Sequence, residues 1–157
     1  MDLVHAGGRP YRLARAVEAD VPAVVALLAD DVLGADRETG ELARYLAAFR
    51  RIDEDPKQLL VVVRDDADAV VGTLQLTLIP GLARAGATRL QVEAVRLSSR
   101  VRGTGLGTAV FAWVHEYGRR HGADLVQLTS DRSRRDAHRF YERLGYLPGH
   151  VGFKLTL

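Results

Sequence analysis

Arg102-Gly103-Thr104-Gly105-Leu106-Gly107 places three glycines on alternate positions between an apolar run and an amphipathic segment. Upstream, Arg89 to Leu97 is rich in β-branched and long apolar residues; downstream, Leu106, Val110, Trp113, Val114 and Tyr117 recur at helical spacing. A strand therefore turns into a helix at the glycines. The first amide hydrogens of a helix lack intrahelical acceptors and sit at the positive end of its dipole, so a phosphate there gains hydrogen bonds and a favourable field together. Glycine lets such a ligand approach the bare backbone. A plain strand-to-helix turn is the alternative, but three glycines exceed its needs.

Two familiar phosphate loops do not fit. A P-loop requires Lys-Ser or Lys-Thr after its second glycine, where this chain has Leu106-Gly107-Thr108. A dinucleotide fingerprint requires two residues between its second and third glycines and an early βαβ unit; here one residue intervenes, late in the chain. Arg100-Val101-Arg102-Gly103-Thr104-Gly105 instead resembles the Arg/Gln-x-x-Gly-x-Gly/Ala motif of the GNAT superfamily of N-acetyltransferases. A second segment, Ala137-His138-Arg139-Phe140-Tyr141-Glu142-Arg143-Leu144-Gly145-Tyr146, is similar to that family's A-x-x-F-Y-E-x-L-G-F/Y stretch. The two motifs stand in the family's order, with room between them for a helix, a strand and a second helix.

At 157 residues, 47% hydrophobic and 27% charged, the chain suits one domain spanning 1–157. It has no cysteine and no long apolar run that could span a membrane, and Met1 to Pro10 is too short and polar for a secretory signal, so a soluble cytoplasmic protein with no membrane partner is the expectation. A formal charge of +2 gives little support for nucleic-acid binding, and no nucleic-acid partner is expected. The charge is unevenly spread. Residues 1–60 hold eight basic and eleven acidic side chains, whereas residues 96–143 hold ten and five. The glycine segment thus lies in a basic region suited to a polyanionic cosubstrate, and the acidic region could attract a cationic amine.

Coarse periodicity gives a first strand from Tyr11 to Val17, with His5 in a mobile start, and a helix opened by Asp20 and Pro22 and ended by Gly34. A second helix follows from about Glu38 to Ile52. Leu59 to Arg64 and Ala69 to Ile79 form a hairpin around Asp65-Asp66-Ala67-Asp68, and Pro80 to Thr88 is a loop. After the long helix, which stops near Gly122, come a strand from Leu125 to Thr129, a helix from Asp136 to Leu144 ended by Gly145, and a last strand from Val151 to Leu157. This order indicates an α/β (α+β) fold with helices on both faces of the sheet. The resemblance implies a mixed central sheet with a splayed central strand.

The apolar positions of the central strand change phase: Leu90, Val92 and Ala94 are even, Val95 and Leu97 odd. A β-bulge near Glu93 to Val95 would repair the phase and leave backbone groups for an extended amide ligand, whereas a strand buried on both faces would need no bulge. Acetyl transfer to an amine needs an electrophile held near the nucleophile, a proton acceptor and stabilisation of the oxyanion and thiolate. Glu93, beside the phase break, could take the ammonium proton directly or through water, or merely pair with Arg89 or Arg96.

The resemblance implies acetyl-CoA as cosubstrate, its pantetheine arm bonded by Val95 and Leu97 and its diphosphate by Arg102, Gly103, Thr104, Gly105, Leu106, Gly107 and Thr108. It also implies that Tyr141 donates a proton to the departing CoA thiolate, a role that competes with packing of its helix on the sheet. Arg134 stands where many members carry asparagine and could meet CoA phosphates as a charge. Asp30, Asp31 and Asp36 are acceptor-site candidates, as is His150 after the Gly145 to Gly149 turn. His115 and His121 read as surface, and no metal-ligand pattern is present. The expected activity is transfer of acetyl to a small primary amine by direct attack in a ternary complex; a catalytically silent CoA-binding regulator is the alternative, and a homodimer is common in the family.

Overall fold

The computed structural model describes residues 1–30 and 40–156. Gly34, Asp31, Asp36 and the expected helix start at Glu38 lie outside the described residues. Gly7 and Gly8 both hold positive φ, 54° and 75°, as a two-residue hairpin turn demands. They join β1 (Asp2–Ala6) to β2 (Arg9–Arg15), with Ala6 opposite Arg9. This corrects the expectation of a first strand beginning at Tyr11: His5 belongs to β1, opposite Pro10. As an edge strand with Leu3 and His5 turned to solvent, β1 has no apolar run to betray it. It is tied down instead by Trp113, whose indole N–H donates to the Asp2 carboxylate at 2.7 Å.

After a 3-10 turn, α1 (Val21–Ala29) begins with proline in its first turn. Asp20 occupies the cap position, yet its carboxylate makes no cap bond to α1. It accepts the Val17 amide hydrogen at 3.0 Å and forms a largely buried ion pair with Arg64. α2 (Leu42–Glu54) follows, then the hairpin of β3 (Gln58–Arg64) and β4 (Val70–Pro80). In its turn the Asp65 carboxylate accepts the amide hydrogens of Ala67 and Ala69 at 3.1 and 2.9 Å. The connection to β5 (Thr88–Leu97), expected as a loop over Pro80 to Thr88, instead holds one short helical turn, Ala83–Gly86, and Pro80 still pairs with Thr88. Arg84 and Ala85 adopt positive φ there, 56° and 58°.

α3 (Leu106–Arg120) then crosses back to β6 (Leu125–Leu128). The strand order is β1-β2-β3-β4-β5-β6, with the first five antiparallel. The β6 strand runs parallel to β5, because Asp124 bonds Thr88 at their starts and Gln127 bonds Gln91 three residues along both strands. The sheet is therefore mixed. Leu60 and Val62 turn to α1 and α2, where Val21, Val24 and Phe49 cover them. The opposite face carries the buried Val61, Leu74, Leu90 and Val92, and a Cβ on Gly118 of α3 would lie 3.2 Å from Leu90. Helices thus cover both faces.

Two predictions arise from this packing. A Cβ added at Gly72 would fall 2.5 Å from Leu97 Cδ2, 3.2 Å from the Arg96 carbonyl and 3.3 Å from Val63 Cβ. Gly72→Val should therefore destabilise the protein by about 1–3 kcal/mol, read as a lower urea midpoint; an unchanged midpoint would refute the tight approach of β4 and β5. His115 on α3 is lowered below its ordinary 6.5 by burial and then by the Arg119 charge. The unfolded chain consequently binds a proton that the native imidazole resists, so stability complete above that value declines on acidification. His115→Gln should lose less stability than the wild type between about pH 7 and 5, and an equal loss would refute the assignment.

Residues 1–127 form one compact unit and Leu128–Leu157 a second. In the second, α4 (Arg135–Arg143) ends at Gly145, whose φ is 90°. The Tyr146 amide hydrogen closes the turn on the Tyr141 carbonyl at 3.1 Å. The expected last strand does not form over residues 151–156, which have no ladder and are exposed, Phe153 at 93% and Leu155 at 85%. Alternation of Val151, Phe153 and Leu155 marks sides of an extended chain, but a strand also needs a partner for its amides. Among the described residues, no helix is long and apolar enough to cross a membrane.

Candidate functional site

The glycine bend is built to keep amides free. After the 3-10 turn Ser99–Val101, the Thr104 hydroxyl donates to the Val101 carbonyl at 2.8 Å, folding the loop on itself. Gly103 and Gly105 hold φ of 77° and 86°, and a Cβ at either would meet nothing within 4 Å. These glycines answer the backbone conformation, and the space in front of them is open. Gly105 caps α3 without any side-chain bond. Among the described residues, the amide hydrogens of Gly103, Thr104, Gly105, Gly107 and Thr108 meet no acceptor, while that of Leu106 has only the Thr104 hydroxyl at 3.4 Å. The β1–β2 turn buttresses the bend, since a Cβ on Gly7 would lie 3.4 Å from Thr104 Cβ.

The expected bulge is present. Thr73 faces Arg96 and Gln75 faces Glu93, so one residue of β4, Leu74, spans two of β5, Ala94 and Val95. Ala94 takes a φ of 53° to make the step. The Ser98 amide hydrogen bonds the Val71 carbonyl of β4 at 2.8 Å. By strand alternation, Leu97 and Val95 then aim their backbone groups at the opposite edge. β6 ends at Leu128, level with the first half of β5, so that edge has no strand partner among the described residues. The central strand is splayed there. Two arginines occupy its carbonyls: Arg96 Nη1 donates to Val95 at 2.8 Å, and Arg102 Nε to Leu97 at 3.3 Å.

Val95, Leu97, Arg102 and the 103–108 bend therefore form one continuous edge. Asp30 lies beside that edge, its carboxylate 4.0 Å from the Arg102 guanidinium. Glu93 is exposed and lies on the sheet face covered by α1 and α2, because its partner Gln75 is itself opposite the core residue Leu60. Asp31 lies outside the described residues.

In the second unit, Tyr141 is half-buried, with edge contacts to Phe140 and Tyr146 at ring distances of 5.3 and 5.9 Å. Burial raises the Tyr146 phenol, and Tyr141 beside it adds to the effect. Arg134 caps α4 by position, its amide hydrogen bonding the Asp131 carbonyl at 3.0 Å. His150 is exposed and outside any regular element. Sequence reasoning missed Gln75, the cross-strand partner of Glu93, and the Gly7-Gly8 buttress. The glycine pair was a readable hairpin signal; the pairing with Gln75 depends on register, which no local pattern displays.

The sequence model of the Acetyltransferase (GNAT) family matches residues 23–146, and the chain belongs to that family. A transcriptional regulator from Bacillus halodurans C-125 is 39% identical, with a TM-score of 0.88 over 94% of this chain and 99% of that one. A Trypanosoma brucei acetyltransferase is 25% identical, with a TM-score of 0.70 over 94% and 99%. An aminoalkylphosphonate N-acetyltransferase from Salmonella typhimurium is 44% identical over 57 residues, a match spanning 36% of this chain and 37% of that protein.

Proposed function

We propose that the protein transfers the acetyl group of acetyl-CoA to a primary amine by direct attack in a ternary complex. The observation that carries the reading is the set of amides at Gly103, Thr104, Gly105, Gly107 and Thr108 that meet no acceptor among the described residues, continuous with the open edge of β5. A diphosphate satisfies the first and the amides of a pantetheine arm the second, once Arg96 and Arg102 release the Val95 and Leu97 carbonyls. The amine nitrogen attacks the thioester carbonyl, forming the C–N bond as the C–S bond breaks. Glu93 takes the proton the amine loses, directly or through water, and Tyr141 returns one to the thiolate. A backbone N–H at the bulge polarises the carbonyl. The Salmonella relative's name supports N-acetylation of an amine.

Acetyl-CoA-dependent thiol release across a panel of small amines tests the reading, with calorimetry of CoA binding run alongside. Release with at least one amine is expected. The Bacillus halodurans relative's description as a transcriptional regulator favours a second reading, a CoA-binding regulator without turnover. Heat on adding CoA with no release from any amine would select it.

A further inference from the structure

The neighbourhood of Glu93 contains a chain of hydrogen bonds whose direction can be read from chemistry alone. The Asp55 carboxylate accepts the Lys57 amide hydrogen at 2.9 Å and the Gln58 side-chain N–H at 3.3 Å, and these bonds lower its pKa, that from Lys57 more than that from Gln58. A carboxylate only accepts, so Gln58 must turn its NH2 to Asp55 and its oxygen away. That oxygen then accepts the Gln75 side-chain N–H at 2.6 Å. The same logic passes on: Gln75 commits one of its two N–H donors to Gln58, which fixes the orientation of its amide, and its Oε1 has no partner among the described residues. Gln75 and Glu93 are directly paired across β4 and β5, so their Cβ atoms lie about 4.5–5.5 Å apart on one face. A neutral oxygen of fixed orientation is thereby set beside a carboxylate, and two acceptors side by side suit a group with several N–H donors.

On the reading that this site acetylates an amine, we propose that Gln75 is a second recognition group for the acceptor nitrogen, with Asp55 and Gln58 as positioning residues that decide which of its atoms is presented. The acceptor class is a primary ammonium, which can donate to Gln75 Oε1 and Glu93 together. An amide oxygen adds a hydrogen bond without adding charge, so Gln75 tightens binding while leaving proton removal to Glu93. Without the Asp55 anchor, Gln58 can flip and Gln75 presents NH2 as readily as oxygen, which repels a donor.

Steady-state kinetics of the purified enzyme with ethanolamine as the probe amine, and a titration of the same amine followed by the side-chain amide NMR signals of Gln75, test this. Gln75→Leu should raise the KM for amine about tenfold while leaving the KM for acetyl-CoA unchanged. Asp55→Leu should raise it in the wild-type background but have no further effect in Gln75→Leu, a non-additivity that general loosening of the fold would not produce. The Gln75 amide signals should shift on titration. An unchanged amine KM in Gln75→Leu, additive effects of the two substitutions, or amide signals that stay in place would each overturn the proposal. Shifted signals with no thiol release would uphold recognition by Gln75 and sink the acetyl-transfer reading.

Discussion

Replacing Gly103 and Gly105 together by valine is expected to weaken CoA binding about a hundredfold or more, with the fold retained. Both positions hold φ near +80°, 77° and 86°, a conformation that β-branched residues resist. Valine therefore has to pull the bend into another shape, and the five amides that meet no acceptor among the described residues would cease to point one way. Each charge-assisted bond lost to a diphosphate costs about 1.5–3 kcal/mol, so two suffice for the effect. Nothing lies within 4 Å of an added Cβ at either site, so the cost is backbone strain at the bend and not a clash with the core; the thermal midpoint should fall, and affinities are compared at a temperature well below it. Calorimetry of CoA binding by both proteins gives the comparison. Equal affinities would mean that the bend does not hold the phosphates.

The second large effect is expected at Glu93. Glu93→Gln keeps the size and hydrogen-bonding reach of the side chain but removes the proton acceptor, and kcat should fall about 10²- to 10³-fold at neutral pH. Binding of acetyl-CoA should not change, because Glu93 stands on the α1 and α2 face while the proposed cofactor edge is formed by backbone groups and the bend. The variant should also recover as pH rises, since solution then supplies more amine already deprotonated. Stopped-time assays of thiol release over a pH series, at saturating amine, measure both features. A kcat equal to the wild type would transfer the role to another group.

Much of this architecture is written locally in the chain. The glycines between Arg102 and Gly107 declared a strand-to-helix bend, and the phase change from Val92 to Val95 declared the bulge, because turn chemistry and side-chain alternation are properties of neighbouring residues. The β3–β4 hairpin was legible for the same reason, from four turn residues between two apolar runs. What escaped depends on residues distant in sequence. β1 is held by a hairpin partner and by Trp113, more than a hundred residues away, while its exposed side chains give no apolar pattern. The opposite failure occurs at residues 151–156, where alternation is clear but no ladder forms.

The site divides the same way. Val95, Leu97 and the bend fall on one edge because they are close in sequence, and the splay appears where β6 stops short of β5. Asp30, an acceptor-site candidate, stands beside Arg102 at the bend, a neighbour far from it in sequence. Gln75 carried no signal at all until register set it opposite Glu93. An amide side chain in the otherwise largely apolar stretch from Val70 to Ile79 does not by itself name a partner.

The crystal structure of the CoA complex tests the central claim most directly. The account predicts a diphosphate within hydrogen-bond distance of the amides from Gly103 to Thr108 and a pantetheine arm lying along β5, bonded to Val95 and Leu97 in place of Arg96 and Arg102. Phosphates seated elsewhere, with the two arginines still on those carbonyls, would contradict it.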